Sequence, residues 1–344
     1  MTRRAMITGG GGFIGSHLVD RLLADEYDVR VVERPGSDNQ HLPLDRIELL
    51  EADIRDQDAM LQAAAGCELV LHLAANPNLW ARNADEFEQI NHQGTRHVLA
   101  AAKAAGAHRT IYVSTESILA PPGSDRIIDE DTVTTIDDMI GPYCRSKWLA
   151  EQAAFEAAER GEPVITVRPS VPIGPGDHRM GPFSRMICDL GHGRIKGYLA
   201  GDINIIDVRD VADGIMAAVE HGQPGRPELL VNENWTILDL FRYLGPLVQV
   251  RPPRMRIPWM IALSFAHIEE WACSHVLRSR QPMATVTGVK LTRRPFRFDG
   301  SRSAQRLGLT SMHDCRTTLE ESLAWYRSKG HLPGQITPPS QLPA

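Results

Sequence analysis

A glycine-rich stretch near the N-terminus constrains the fold of this chain more than any other sequence feature. It reads T-G-G-G-G-F-I-G, follows a short apolar strand, and runs into a segment with helical spacing, S-H-L-V-D-R-L-L. Gly9 permits a tight turn, Gly12 leaves room for a pyrophosphate, and Gly15 lets the helix pack close to the strand. The N–H groups at the start of the helix, at Phe13 and Ile14, are then free to bind phosphate, which the helix dipole favours.

Strands and helices alternate along the chain that follows. This alternation predicts right-handed crossovers and an α/β fold with a Rossmann-type, doubly wound parallel sheet. A loop rich in Pro and Gly opens at Pro169, where the chain leaves the sheet. We therefore predict a dinucleotide-binding domain from residues 1–170 and about 205–232. A smaller, mixed α/β C-terminal substrate domain would comprise about 171–204 and 233–330, and 331–344 would be a disordered tail.

The ends of the predicted second and third strands carry residues suited to binding an adenosine. Glu33 lies 18 residues past Gly15 and can accept hydrogen bonds from both ribose hydroxyls, which favours NAD. Arg34 follows at once and could instead bind the 2′-phosphate of NADP, so the two signals conflict and we favour NAD. Asp53 and Ile54, at the end of the third strand, are placed to reach the adenine.

The fourth predicted strand reads C-E-L-V-L-H-L-A-A and ends in small residues. Ligands of doubly wound sheets lie beyond the C-terminal ends of the strands. Leu73, Ala74 and Ala75 would let the cofactor pass over this strand end. His72, in the same strand, is interpreted as a packed residue and not as a catalyst.

Composition and charge exclude several classes of protein. The formal net charge of −6 argues against nucleic-acid binding, which needs a basic face. The five cysteines are scattered without C-x-x-C spacing, which predicts reduced thiols, a cytoplasmic protein and no metal site. A strand follows the first residues directly, which leaves no room for a signal peptide, and no apolar run reaches the ~18 residues of a spanning helix.

A tyrosine and a lysine four residues apart carry the chemistry that the sequence predicts. Tyr143 and Lys147 lie in Y-C-R-S-K-W-L-A-E-Q and share one face of a helix. The ammonium should lower the pKa of the phenol from about 10, so that the tyrosine can exchange protons near neutral pH. The same lysine can hold the nicotinamide ribose. Thr115, just past a strand, can hydrogen-bond the substrate oxygen, and Ser114 ranks second because strand alternation turns it away.

Together these motifs resemble the extended short-chain dehydrogenase/reductase family. The resemblance is carried, in the family's order, by T-G-G-G-G-F-I-G, Asp53-Ile54, H-L-A-A, Asn91, S-T-E, Y-C-R-S-K and R-P-S-V-P-I-G-P-G-D. It covers roughly residues 5–330. It implies that Thr115, Tyr143 and Lys147 form the catalytic set and that backbone near Pro169 and Val171 contacts the nicotinamide.

The resemblance also implies a homodimer, and two of the segments point to one branch of the family. The dimer would form through two long helices, Glu86–Ala105 and Tyr143–Glu159. The segments I-D-D-M-I-G-P-Y-C-R-S-K-W-L-A-E-Q and R-P-S-V-P-I-G-P-G-D look most like the hopanoid-associated sugar epimerases. That branch is similar to dihydroflavonol reductases and 3β-hydroxysteroid dehydrogenases.

The leading functional interpretation is an NAD(P)-dependent oxidoreductase with a small-molecule substrate. It would transfer a hydride between the nicotinamide and a ring secondary alcohol or ketone of a bulky apolar substrate, such as a sterol or triterpenoid. A β-keto acid formed by oxidation could lose carbon dioxide without further protein groups. A non-catalytic dinucleotide sensor is disfavoured by the complete Thr/Tyr/Lys set.

A nucleotide-sugar epimerase is the alternative, because it uses the same hydride step without net redox change. It needs cationic groups to grip a diphosphate, for which Arg179, Arg185 and Arg194 are candidates. A sugar dehydratase is less favoured. Glu116 matches the acidic general acid of those enzymes, but Ser117 replaces their second carboxylate.

The segment Pro258–Leu277 has an apolar pattern of its own. One helical face would collect Ile261, Phe265, Ile268, Trp271, Ala272 and Val276. We interpret it as a helix packed on the second domain, with a lid over an apolar substrate or a peripheral contact with a membrane surface as alternatives. The basic residues that follow would be solvated or would meet anionic headgroups. They are Arg278, Arg280, Lys290, Arg293 and Arg294.

Overall fold

A computed structural model describes residues 3–119, 127–277 and 280–333 of the chain. The strands, in chain order, are β1 (Arg4–Thr8), β2 (Asp28–Glu33), β3 (Glu48–Glu51), β4 (Leu69–His72), β5 (Arg109–Val113), β6 (Val164–Pro169), β7 (Val171–Ile173), β8 (Gly197–Tyr198), β9 (Asp202–Asp207), β10 (Glu228–Leu230), β11 (Glu233–Thr236) and β12 (Met255–Arg256). Seven of them form one parallel sheet in the order β10-β6-β5-β4-β1-β2-β3. The predicted Rossmann-type, doubly wound α/β fold is therefore confirmed.

Helices cover both faces of the large sheet, and further helices pack with the remaining strands. In chain order they are α1 (Phe13–Ala24), α2 (Gln57–Ala64), α3 (Asp85–Phe87), α4 (Gly94–Ala105), α5 (Gly141–Glu159), α6 (Pro182–Gly191), α7 (Val208–His221), α8 (Ile237–Leu247), α9 (Trp259–His275), α10 (Val286–Leu291), α11 (Ser301–Leu307) and α12 (Cys315–Ser328). The Thr236 side chain caps α8 by accepting a hydrogen bond from the Asp239 N–H. Trp235, just before that helix, lies in β11.

The stretch predicted as one helix from Glu86 to Ala105 is helical throughout but not uniform. Between α3 and α4 the backbone winds as a π-helix over Glu88–Gln93. Segments of this kind are rare and often occur at functional sites. Here the wider turn carries Asn91, which is buried against the start of α5.

Apolar residues on both faces of the large sheet explain why its central strands are continuous hydrophobic runs. One face packs on α1 and α7 through residues such as Ile7 and Ile215, and the other on α2 and α4 through Met6 and Val98. A separate core gathers around β7, β9, α6, α8 and α12. Strand β9 serves both cores, because successive side chains of a strand point to opposite faces. Its Ile206 lies in the first core and Ile205 in the second.

Two further expectations concern the C-terminal tail and membrane-spanning helices. Residues 334–344 of the predicted tail lie outside the described residues, whereas Leu332 is buried in the second core. Within the described ranges, every helix is too short or too polar to cross a bilayer. The domain boundaries given above stay a prediction.

Candidate active site

The glycine loop joins β1 to α1 at the C-terminal edge of the sheet. Gly9 has a φ of 75°, and a Cβ there would lie 2.8 Å from the Ala74 backbone nitrogen. Gly12 caps α1 and has no side chain to accept the N–H groups of the first turn, which begins at Phe13 and Ile14. The loop, the first helical turn and the strand end at Leu73–Ala75 therefore lie together, as the sequence predicts for phosphate binding.

Replacing Gly15 by alanine is expected to disrupt this loop. The added Cβ would lie 2.1 Å from the Gly9 carbonyl oxygen, and both groups belong to backbone that cannot rotate away. We expect a loss of about 1–3 kcal/mol in the free energy of unfolding, by overpacking, together with at least a tenfold weaker affinity for NAD. Urea unfolding and calorimetric titration measure the two effects. Gly66→Ala is the control for the affinity, because no atom lies within 4 Å of its added Cβ and only its own positive φ of 75° opposes alanine there; an equal loss of NAD affinity in both variants would contradict the steric explanation.

Glu33 ends β2 beside the glycine loop, as predicted, but its carboxylate already has protein partners. Oε1 accepts the Gly11 N–H at 2.7 Å, and Oε2 pairs with the Arg179 guanidinium at 2.9 Å. The side chain is only 4% exposed. Arg179 lies 146 residues away in sequence, so no spacing pattern could have indicated this contact.

The other predicted adenosine-binding residues lie at the neighbouring strand ends. Arg34 is exposed and contributes to holding the pKa of Asp53 below its ordinary value. The main cause of that shift is the Arg55 side chain, which binds both carboxylate oxygens of Asp53 at 3.0 and 2.6 Å. Ile54 is buried, and its side chain fills the space where Gly94 has no Cβ. Ile54 thus contributes packing at this point.

A compact group of hydroxyls follows the end of β5. The Thr115 hydroxyl donates to Glu116 Oε2 at 2.9 Å and lies 3.1 Å from the Ser117 hydroxyl. Thr115 also caps a short 3₁₀ turn over Glu116–Ile118, accepting the Ser117 N–H. Ser114 is buried with no hydrogen-bond partner for its hydroxyl within the described part of the chain. The preference for Thr115 over Ser114 stays a prediction, and Ser117 is a group member that sequence reasoning did not assign to the site.

Helix α5 brings Tyr143 and Lys147 to this strand end. Tyr143 packs edge-on against Phe87, with ring centroids 6.3 Å apart. The nearby Thr115 and Ser117 hydroxyls oppose a rise in the pKa of its phenol. Lys147 is buried, and its ammonium donates to the Val113 carbonyl oxygen at 2.8 Å. The three residues predicted as a catalytic set therefore surround the end of one strand.

The expectation that Lys147 lowers the pKa of Tyr143 is wrong. Burial raises the pKa of the phenol above its ordinary value, and the nearby Glu116 carboxylate raises it further. Lys147 instead lies 4.6 Å from the centre of the Tyr112 ring, and burial lowers its own pKa to about 7. The spacing of four residues placed both groups on one helix face, but it gave no measure of their burial.

We expect that replacing Glu116 by glutamine will flatten part of the pH dependence of stability. Burial raises the pKa of this carboxyl from 4.5 to about 7, so over that interval the folded chain keeps a proton that the unfolded chain has lost. The contribution is fully present below about pH 4.5 and is lost as the pH rises through about 7. Wild type should therefore lose stability relative to Glu116→Gln between these values in urea unfolding. Glu51→Gln, at an exposed carboxylate, is the control, and a difference independent of pH would refute the expectation.

Two buried contacts hold α5 in position, and neither was predicted. The Asn91 side chain accepts the Asn76 N–H at 2.7 Å and donates to the Ser146 hydroxyl at 3.0 Å. Farther along α5, Glu151 pairs with Arg168 of β6 through two hydrogen bonds of 3.0 and 2.6 Å. Asn91 was noticed only as part of a family pattern, and the partners of both contacts are distant in sequence.

The predicted nicotinamide contacts lie at the end of β6 and just beyond it. Pro169 is the last residue of that strand, Val171 is the first of β7, and Ser170 between them donates its N–H to the Leu230 carbonyl oxygen. The Ser170 hydroxyl is buried without a partner in the described part of the chain. This backbone lies at the same C-terminal edge as the glycine loop and β5, because all strands of the large sheet are parallel.

Comparisons with known proteins identify the family of this chain. A model of the NAD dependent epimerase/dehydratase family matches residues 5–232. A Synechocystis protein provisionally named a dihydroflavonol 4-reductase is 33% identical, covering 96% of each chain. Sterol demethylase protein B of Methylococcus capsulatus is 28% identical over 94% of this chain and 98% of that protein. The crystal structure of gox2253 matches with a TM-score of 0.84 at 29% identity, covering 96% of this chain and 100% of that one. The chain thus belongs to the NAD-dependent epimerase/dehydratase family, within the extended short-chain dehydrogenase/reductases, and its cofactor is NAD.

Proposed function

We propose that this chain is an oxidoreductase that transfers a hydride between NAD and a ring secondary alcohol or ketone of a bulky, apolar substrate. The observation that carries the proposal is the arrangement at the end of β5. There the Tyr143 phenol lies near the Thr115 hydroxyl, and Lys147 lies one helical turn away. Such a group can move a proton to or from an oxygen while the attached carbon loses or gains a hydride.

Each residue has a distinct task in this proposal. The glycine loop would hold the dinucleotide and Lys147 its nicotinamide ribose, and the bound cofactor would supply or accept the hydride. Thr115 donates a hydrogen bond to the substrate oxygen. Tyr143 transfers the proton of that oxygen, and its raised pKa keeps it a neutral phenol, which is the form that protonates a ketone during reduction. In the oxidative direction the phenol must first release its own proton.

The apolar character of the substrate is supported by the surroundings of Tyr143. Met139, Trp148, Leu291 and Phe296 pack with its ring around one apolar cluster, and Phe87 covers its edge. The relative from M. capsulatus is named for sterol demethylation. A sterol or triterpenoid alcohol is therefore the substrate class that we propose, and loss of carbon dioxide would follow where the oxidised product is a β-keto acid.

A nucleotide-sugar epimerase is the second candidate, but the three arginines considered for its diphosphate have other partners. Arg179 pairs with Glu33 beside the glycine loop. Arg194 pairs with Asp189 on the surface, and Arg185 donates to the Gln281 side chain. The three are engaged in different places, which favours the apolar substrate over a diphosphate.

Cofactor reduction against a substrate panel tests the proposal. The full chain is incubated with NAD⁺ or NADP⁺ and with sterol alcohols, flavonols or nucleotide sugars, and the absorbance of the reduced nicotinamide is followed. We expect stoichiometric NADH from a sterol-like alcohol and faster turnover with NAD⁺ than with NADP⁺. Epimerisation of a nucleotide sugar without net NADH, and no reaction with any polycyclic alcohol, would reject the proposal in favour of the epimerase.

A further inference from the structure

The outward face of α9 is apolar and has no partner in the described part of the chain. Its large side chains are 45% to 65% exposed: Met260, Ile261, Phe265, Ile268 and Trp271. Val276 and Leu277, just past the helix, are also exposed. The leading sequence interpretation is a helix packed on the second domain; the helix does pack on the rest of the chain, but through its small residues and not through this apolar face. Isolated exposed apolar residues are ordinary, but a continuous row along one helix marks an interaction surface.

The inward side of α9 explains why the large residues face outward. Small side chains, Ala262, Ala266 and Cys273, are buried there, and the two alanines pack near Val289 of α10. The only acidic residues of the helix also bind the protein. Glu269 accepts the Met283 N–H at 3.1 Å and Glu270 accepts the Val286 N–H at 2.7 Å. The outer face is thus left apolar and without acidic side chains.

The segment around α9 is strongly basic in a chain that is acidic overall. Residues 251–297 hold nine Lys and Arg and two Glu, a net charge of +7, while the whole chain carries −6. Among the described positions Arg251, Arg254, Arg256, Lys290 and Arg293 are exposed. Arg278, noted in the sequence, lies outside the described residues. An apolar row inside a basic surround is the pattern that binds an anionic, amphipathic surface.

A cavity at the N-terminal end of α9 adds an anion-binding feature to this surface. It has a volume of about 400 Å³ and is lined by Leu199, Ala200, Arg256, Ile257, Pro258, Trp259 and Arg293. The Arg293 guanidinium lies 3.9 Å over the Trp259 ring, and the Trp259 indole donates to the Val289 carbonyl oxygen. Two guanidinium groups at the positive end of a 17-residue helix can receive a phosphate.

We propose that this surface binds the headgroup and upper acyl region of an anionic lipid bilayer. Helix α9 would lie flat, with its apolar row inserted and Arg256 and Arg293 at the phosphates. Trp271 suits the interface, where an indole has both an apolar and a polar neighbour. A second copy of this chain is a poorer occupant, because two net-basic faces would repel each other. The inference does not depend on which substrate the enzyme turns over.

Vesicle flotation of the full chain tests the proposal. Vesicles of phosphatidylcholine alone are compared with vesicles that also contain phosphatidylglycerol, at low and high salt. We expect binding to the anionic vesicles, weakened by salt. The variant Ile261→Ser/Phe265→Ser/Ile268→Ser/Trp271→Ser should partition at least tenfold less. The variant Arg256→Gln/Arg293→Gln should lose the preference for phosphatidylglycerol. Leu44→Ser/Val133→Ser removes exposed apolar side chains elsewhere and is the matched control, which should float like wild type.

Three results would overturn the membrane assignment. They are the absence of wild-type flotation on anionic vesicles, equal flotation of wild type and the serine variant, and a wild-type dimer that the serine substitutions dissociate without any vesicle binding. The last result would show that a second copy covers the face. Circular dichroism melting of every variant separates loss of binding from loss of folding.

Discussion

Replacing Tyr143 by phenylalanine is expected to lower kcat by about 10²- to 10⁴-fold, because the alcohol oxygen of the substrate loses the group that accepts its proton during oxidation. The ring keeps its apolar contacts, including the edge-on packing with Phe87. The affinity for NADH should therefore change by less than about threefold, since the glycine loop and Lys147 are unaltered. Stopped-flow or steady-state measurement with the sterol-like alcohol gives kcat, and fluorescence titration gives the affinity.

The same substitution at a tyrosine outside the site is the control for the loss of a phenol hydroxyl. Tyr243→Phe removes one hydrogen bond to Glu320 on the C-terminal part of the chain and should leave kcat unchanged. If Tyr143→Phe retained more than about a tenth of wild-type kcat, the phenol would not be the group that exchanges the proton with the substrate oxygen, and the mechanism would need another group. If NADH binding were lost as well, the effect would be structural.

The second large effect is expected from the buried ion pair that fastens α5 to β6. Glu151→Ala should lower the free energy of unfolding by about 3–5 kcal/mol, because the buried Arg168 guanidinium is left without its carboxylate. The two side chains are 2% and 6% exposed, so water cannot replace the lost partner. Urea unfolding gives the stability, and kcat should fall too, since the same helix positions Tyr143 and Lys147.

A double substitution separates the cost of an unpaired charge from the value of the pair. Glu151→Leu/Arg168→Met removes both charges and should recover most of the stability that the single variant loses. Asp189→Ala breaks the exposed pair with Arg194 and should cost no more than about 1 kcal/mol. A double variant as unstable as Glu151→Ala would show that the packing of α5 and not the buried charge is responsible.

The parts of the fold that repeat a local pattern were predictable from the sequence. The glycine turn and the strand patterns depend on neighbours in the chain, and together with the alternation of strands and helices they predict the parallel sheet. The residues at the strand ends followed from topology, because parallel strands end at a common edge. This is why the sequence alone predicts that Thr115, Tyr143 and Lys147 lie near one another.

The features that the sequence did not predict depend on burial and on partners that are distant along the chain. The raised pKa of Tyr143 reflects desolvation, which a spacing of four residues does not report. The pairing of Arg179 with Glu33 joins positions far apart in the chain. The apolar row of α9 was read from the sequence, but periodicity alone does not tell an inward face from an outward one, and here the small residues are the buried ones.

Sharing β9 between two cores has a thermodynamic consequence. Ile205 and Ile206 are adjacent in the chain, so the peptide unit between them belongs to both apolar interiors. Melting either interior would release the strand that supports the other. The protein should therefore unfold as one cooperative unit, and a fragment cut at residue 232, where the family match ends, would leave half of that strand's apolar surface in water.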